Sequence, residues 1–98
     1  MSNSPAVAAQ VAALLARAAE AWRSGYAMEA EALLEQARQL DPKRTEVLVT
    51  LGMMHTSAGR PAEALPLLRR AVSLRPALAV AHGNLGLALS ALRRTRRR

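Results

Sequence analysis

Apolar and polar positions follow one another along this chain with the spacing of helices, not strands. Leu48, Leu51 and His55 recur three and four residues apart, which puts them on one helical face. Gly59 then breaks the pattern, and Pro61 suits the first turn of a following helix, where a missing N–H costs nothing. From there Ala64, Leu65, Leu68, Ala71 and Leu74 line a second apolar face. Arg75-Pro76 closes it, because the residue before proline avoids helical backbone. The earlier part of the chain has the same plan: a helix from Pro5 to about Arg23, a turn at Ser24-Gly25, a helix from Tyr26 to Leu40, and a stop at Asp41-Pro42. A last helix is expected over about Ala79 to Leu92. Pro66 falls inside a predicted helix, close enough to its start to give a slight bend and not a break.

The plan is a repeat. A shift of 34 residues brings Leu14 onto Leu48, Gly25 onto Gly59, and Glu29-Ala30 onto Glu63-Ala64. It also aligns Leu33-Leu34 with Leu67-Leu68, Ala37 with Ala71, Leu40 with Leu74, and Pro42 with Pro76. A second shift carries Leu51-Gly52 onto Leu85-Gly86. Gly52, Ala64 and Ala71 have almost no side chain, so the two helices of a unit can approach toward the close end of the roughly 8–10 Å range.

The period and these residues resemble the tetratricopeptide repeat, over about residues 11 to 92. The middle unit carries the pattern most fully, with Leu48, Leu51-Gly52, His55, Ala64, Leu68, Ala71 and Pro76. The first has Leu14, Ala18, Ala30, Leu34, Ala37 and Pro42, but Arg17 stands where leucine is usual. The third has Asn84 and Leu85-Gly86, with His82 at a large-residue position. The resemblance implies an all-α, right-handed α-solenoid of helix-turn-helix units at about 11–44, 45–78 and, in part, 79–92. The repeat domain would span 5–92, between a disordered N-terminus (1–4) and a basic tail (93–98).

In that family the first helices of successive units line a concave groove for an extended or helical peptide. Carried over, the groove positions are Ala12, Leu15, Ala19 and Trp22; Glu46, Val49, Met53 and Thr56; and Val80, Gly83, Leu87 and Ser90. The lysine, asparagine and arginine with which chaperone-binding members clamp a terminal carboxylate are missing, since Leu15, Ala19, Val49, Met53, Gly83 and Leu87 stand at the matching places. The implied partner is a protein or peptide with an apolar or amphipathic segment, and Met53 can repack around different ligands. Trp22 has two readings: an interface anchor, or packing over the first turn beside Tyr26.

Composition narrows the chemistry. Of 98 residues 51% are hydrophobic, yet Trp22 and Tyr26 are the only aromatics, so the core must be built from alanine, leucine and valine. The chain has no cysteine, hence no disulfide or thiolate metal site. His55 and His82 fall at packing positions and are expected to be buried or half-buried and neutral; a metal site needs more ligands. Glu29, Glu31, Glu35 and Glu63 read as solvated surface. The glycines punctuate or pack the repeat; none forms a phosphate-cradling loop. No enzyme activity, metal or cofactor is expected.

The N-terminus lacks the features of a secretory signal, and no stretch is long and apolar enough for a membrane span, so a cytoplasmic protein is expected. An arginine- and alanine-rich composition points to a bacterial source. Of the net charge of +7, five units come from Arg93, Arg94, Arg96, Arg97 and Arg98. Such a tail can attract phosphates, but like-charge blocks mostly stay solvated, so nucleic acid is not the expected partner. The last helix is apolar around much of its circumference and has no second helix to cover it. Val80, Leu85, Leu89 and Leu92 are therefore expected to mediate a homodimer, unless a continuation beyond Arg98 or a bound partner hides them. The sequence thus describes an adaptor or scaffold. Its rivals are a recruitment module at the N-terminus of a larger enzyme, such as a transferase or oxygenase, and an anionic-surface binder acting through the tail.

Overall fold

In the computed structural model, which describes residues 4–96, five helices follow one another: α1 (Pro5–Arg23), α2 (Ala27–Leu40), α3 (Thr45–Ser57), α4 (Pro61–Leu74) and α5 (Ala79–Arg96). The disorder expected over residues 1–3 and the end of the tail, Arg97 and Arg98, lie outside the described residues. Ser4 is ordered, contrary to expectation: it is the N-cap of α1, and its Oγ accepts a hydrogen bond from the Val7 amide at 3.2 Å, with Pro5 in the first turn. α5 also runs further than the hydropathy pattern indicates, through Arg93 and Arg94 to Arg96. Cations in a last helical turn face the negative end of the helix dipole and favour its continuation.

The turns are built alike one period apart. After α1, Tyr26 donates its backbone N–H to the Ala21 carbonyl and Gly25 donates to Trp22; after α3, Arg60 donates to His55 and Gly59 to Thr56. This double bond pattern satisfies the last carbonyls of each helix and needs a left-handed residue, supplied by Gly25 (φ 87°) and Gly59 (φ 82°). The sharper stops after α2 and α4 use Asp41-Pro42 and Arg75-Pro76. α4 continues through Pro66 without a break.

Short turns make α1 and α2, and then α3 and α4, packed hairpins; α3 also packs on α2, and α5 packs on α4 and α3. Val11, Leu14, Ala18 and Ala21 of α1 meet Leu33, Leu34 and Ala37 of α2, with Val47, Leu51 and Met54 of α3 closing the cluster. Further along, Leu48 and Val49 meet Ala71 and Ala81, and Ala64 and Leu68 meet Ala88. Within the second hairpin the contact is close: a Cβ on Gly52 would stand 2.5 Å from Leu68 Cγ. The glycine therefore sets how near α4 can lie.

Candidate partner-binding surface

Two cavities lie along the first helices of the hairpins. One, of ≈ 280 Å³, is walled by Leu15, Ala19 and Trp22 of α1 and by Glu46, Thr50 and Met53 of α3. The other, of ≈ 340 Å³, lies between Glu46, Val49 and Thr50 of α3, Leu78 just before α5, and Val80 in its first turn. Glu46 and Thr50 line both, so the two cavities are neighbours on one surface, a trough running across α1, α3 and the start of α5 with this part of α3 between them.

Leu15, Ala19, Trp22, Glu46 and Met53 all line the first of these cavities. Trp22 is 37% exposed, enough to present an edge to a ligand while its remainder packs. Val80, expected both in the groove and in self-association, lines the trough and is exposed. Other expectations need correction. Val49 is buried and joins Leu48, Ala71 and Ala81, so it forms the floor of the trough. Thr56 borders a separate cavity with Pro61, Ala91 and Arg94 at the α3–α4 turn, and its hydroxyl donates to the Gly52 carbonyl at 2.9 Å. Leu87 is exposed on α5 but lines neither cavity of the trough. Thr50 was not singled out from the sequence. Its hydroxyl donates to the Glu46 carbonyl at 2.7 Å, leaving its methyl for the trough wall.

The self-association set divides in the same way. Leu89 is exposed, Leu92 is half-buried, and Leu85 packs partly against the Ala64–Leu68–Ala88 cluster; Val80 belongs to the trough side. Leu85, Leu89 and Leu92, four and three residues apart, share one side of α5, and Val80 lies apart from them.

Two polar expectations are also revised. Glu31 is not solvated surface: both its carboxylate oxygens accept from Arg60 Nη2 at 2.7 Å. Arg60 reaches as well toward Glu63, at 3.5 Å, and His55 Nδ1 lies 3.3 Å from its Nε. Arginine offers only donors, so Nδ1 accepts and the ring proton sits on Nε2. The cluster clasps α2 to the α3–α4 turn. His55 is half-buried as expected, but His82 is exposed, with Nε2 2.6 Å from the Pro76 carbonyl. Among the described residues no group of acidic, histidine or cysteine side chains is arranged to hold a metal ion, and no helix is long and apolar enough to cross a membrane.

Hairpins stacked at a fixed period define an all-α helical-repeat solenoid, similar to that of tetratricopeptide proteins. Over 91% of its length the chain aligns, at 40% identity and a TM-score of 0.80, with a solved structure of a mutant O-GlcNAc transferase from Thermobaculum terrenum. The chain spans 17% of the length of that transferase. No family model and no curated relative matches it.

Proposed function

We propose that this chain is a protein-interaction module that receives an apolar or amphipathic peptide in the trough across α1, α3 and α5. The observation that carries the reading is the adjacency of two cavities that share Glu46 and Thr50, with Leu15, Trp22, Met53 and Val80 as apolar walls. A trough of this kind fits a segment of several residues better than a compact metabolite. The module is not itself an enzyme on this reading. His55 is committed to Arg60, and Glu31 and Arg60 satisfy each other, so neither His55 nor Glu31 stands free as a general base.

The test is a selection from a random peptide library against immobilised chain, repeated on the Ala19→Arg variant. Ala19 is exposed in the trough wall, so arginine obstructs the trough without entering the core. Peptides with spaced apolar anchors should be recovered on the parent, bind at least tenfold weaker to the variant, and change the emission of Trp22. Selected peptides that bind both proteins alike, with unchanged tryptophan emission, exclude the trough as the binding site.

A second reading is favoured by the transferase alignment: the module would serve as the recruitment part of a longer enzyme. The open reading frame around the coding sequence and the mass of the natural protein test it, and a mature mass near 10.5 kDa excludes it.

A further inference from the structure

The 34-residue period gives α5 an internal reference, because α3 occupies the same register one unit earlier. In α3 the face built from Leu48, Leu51, Gly52 and His55 is covered: Leu48 meets Ala71 and Gly52 faces Leu68 of α4, and Leu51 packs with Leu33 and Leu34 of α2. The first three are buried, while His55 is half-buried. One period on, these positions are His82, Leu85, Gly86 and Leu89 of α5. Here His82, Gly86 and Leu89 are exposed and Leu85 is half-buried. A Cβ on Gly52 would strike Leu68, whereas a Cβ on Gly86 would meet nothing within 4 Å. The backbone seat that accepts Leu68 on α3 is therefore repeated on α5 and faces solvent.

The charge along that face indicates what could sit there. His82, Gly86, Leu89, Arg93 and Arg96 follow one another four and three residues apart, so they form one stripe. α5 has no carboxylate, and none of the ion pairs among the described residues engages Arg93 or Arg96. The helices that cover the equivalent faces in the first two hairpins, α2 and α4, have Glu29 and Glu63 in their first turns. In an antiparallel hairpin that first turn lies beside the C-terminal end of the covered helix. On α5 the same end carries the arginines.

We propose that this face of α5 docks an acidic amphipathic helix of a partner protein. The helix lies antiparallel to α5, seats a leucine over Gly86, and brings carboxylates in its first turn to Arg93 and Arg96. A second copy of the chain fits this face less well, because two α5 helices bring only cations and histidine to each other. The surface is on a different side of α5 from Val80 and does not depend on the trough.

A suitable probe is a synthetic peptide with the sequence of α2, residues 27–40, held helical by a staple between its outward positions 32 and 36. It is titrated into the full, isotope-labelled chain and followed by amide shifts. The expected result is a set of shifts centred on Gly86, Leu89 and Arg93, with affinity falling at least tenfold between low and high salt. The glutamate-to-glutamine peptide should bind at least tenfold more weakly. Gly86→Leu, which fills open space and leaves the core untouched, should abolish binding. The proposal is overturned by no shift at millimolar peptide, by shifts centred on the Trp22 indole, by binding indifferent to Gly86→Leu, or by a dimer in light scattering that Gly86→Leu dissociates.

Discussion

Gly52 and Gly86 hold the same position in successive units, both after a leucine, yet the structure gives them opposite sensitivities. At Gly52 an added Cβ would lie 2.5 Å from Leu68 Cγ, inside a fully buried contact, so α4 or the leucine must shift. Gly52→Ala should destabilise the chain by about 1–3 kcal/mol, an overpacking effect larger than the gain in helix propensity. Gly86→Ala meets no neighbour and should stabilise it by roughly 0.5–1 kcal/mol. Urea denaturation of the two variants checks both signs; equal shifts in one direction would show that helix propensity alone governs these positions. The alignment at 34 residues identified the two glycines as equivalent but could not separate them. What separates them is whether another helix lies above, and that is a property of the neighbouring element. The depth of Val49 was hidden for a similar reason: Ala71 and Ala81, distant in sequence, pack against it, so it lies at the floor of the trough and not on its wall.

The individual helices were the most legible level. Their starts and stops depend on prolines and on glycines that adopt positive φ, which are local signals, and only the basic end of α5 ran beyond its apolar pattern. Contacts between helices were legible where small residues recur. Ala64 is fully buried in the cluster with Leu68 and Ala88, so Ala64→Leu should cost on the order of 1–3 kcal/mol and broaden the unfolding transition as α4 separates from α5. The clasp at Glu31 was not legible. Its spacing on α2 describes only its own helix, while its partner, Arg60, lies 29 residues away and is brought in by the α3–α4 turn. The Glu31 side chain is 20% exposed and that of Arg60 40%, so solvent screens much of their attraction. Glu31→Gln should lower stability by about 0.5–1.5 kcal/mol, and by less in high salt. A double-mutant cycle with Arg60→Met measures the coupling directly; a coupling indistinguishable from zero would mean that α2 is held to the second hairpin by its apolar contacts alone.

In a stack of hairpins each element is supported chiefly by its neighbours, so local stability should vary along the chain. α3 has helices on several sides, namely α2, α4 and α5, and buries seven residues from Thr45 to Met54. α5 rests on α3 and α4 alone and buries Ala81 and Ala88, which together contribute little apolar area. Opening should therefore begin at α5, whose loss leaves the first two hairpins packed through Leu51, Met54 and Leu34. Amide hydrogen exchange checks this expectation. Amides in α3 should approach the protection of global unfolding, while those in the middle of α5 should exchange at least tenfold faster, a gap of about 1.4 kcal/mol or more. Uniform protection from α1 to α5 would instead make the chain one cooperative unit, with α5 held as firmly as the hairpins. If α5 is the weak end, its stability is also what an occupant of its outer face would change most. Any helix that covers Gly86 should raise protection in α5 first and leave α3 almost as it was, whereas a peptide in the trough, bridging α1 and α3, should act on the other end of the stack.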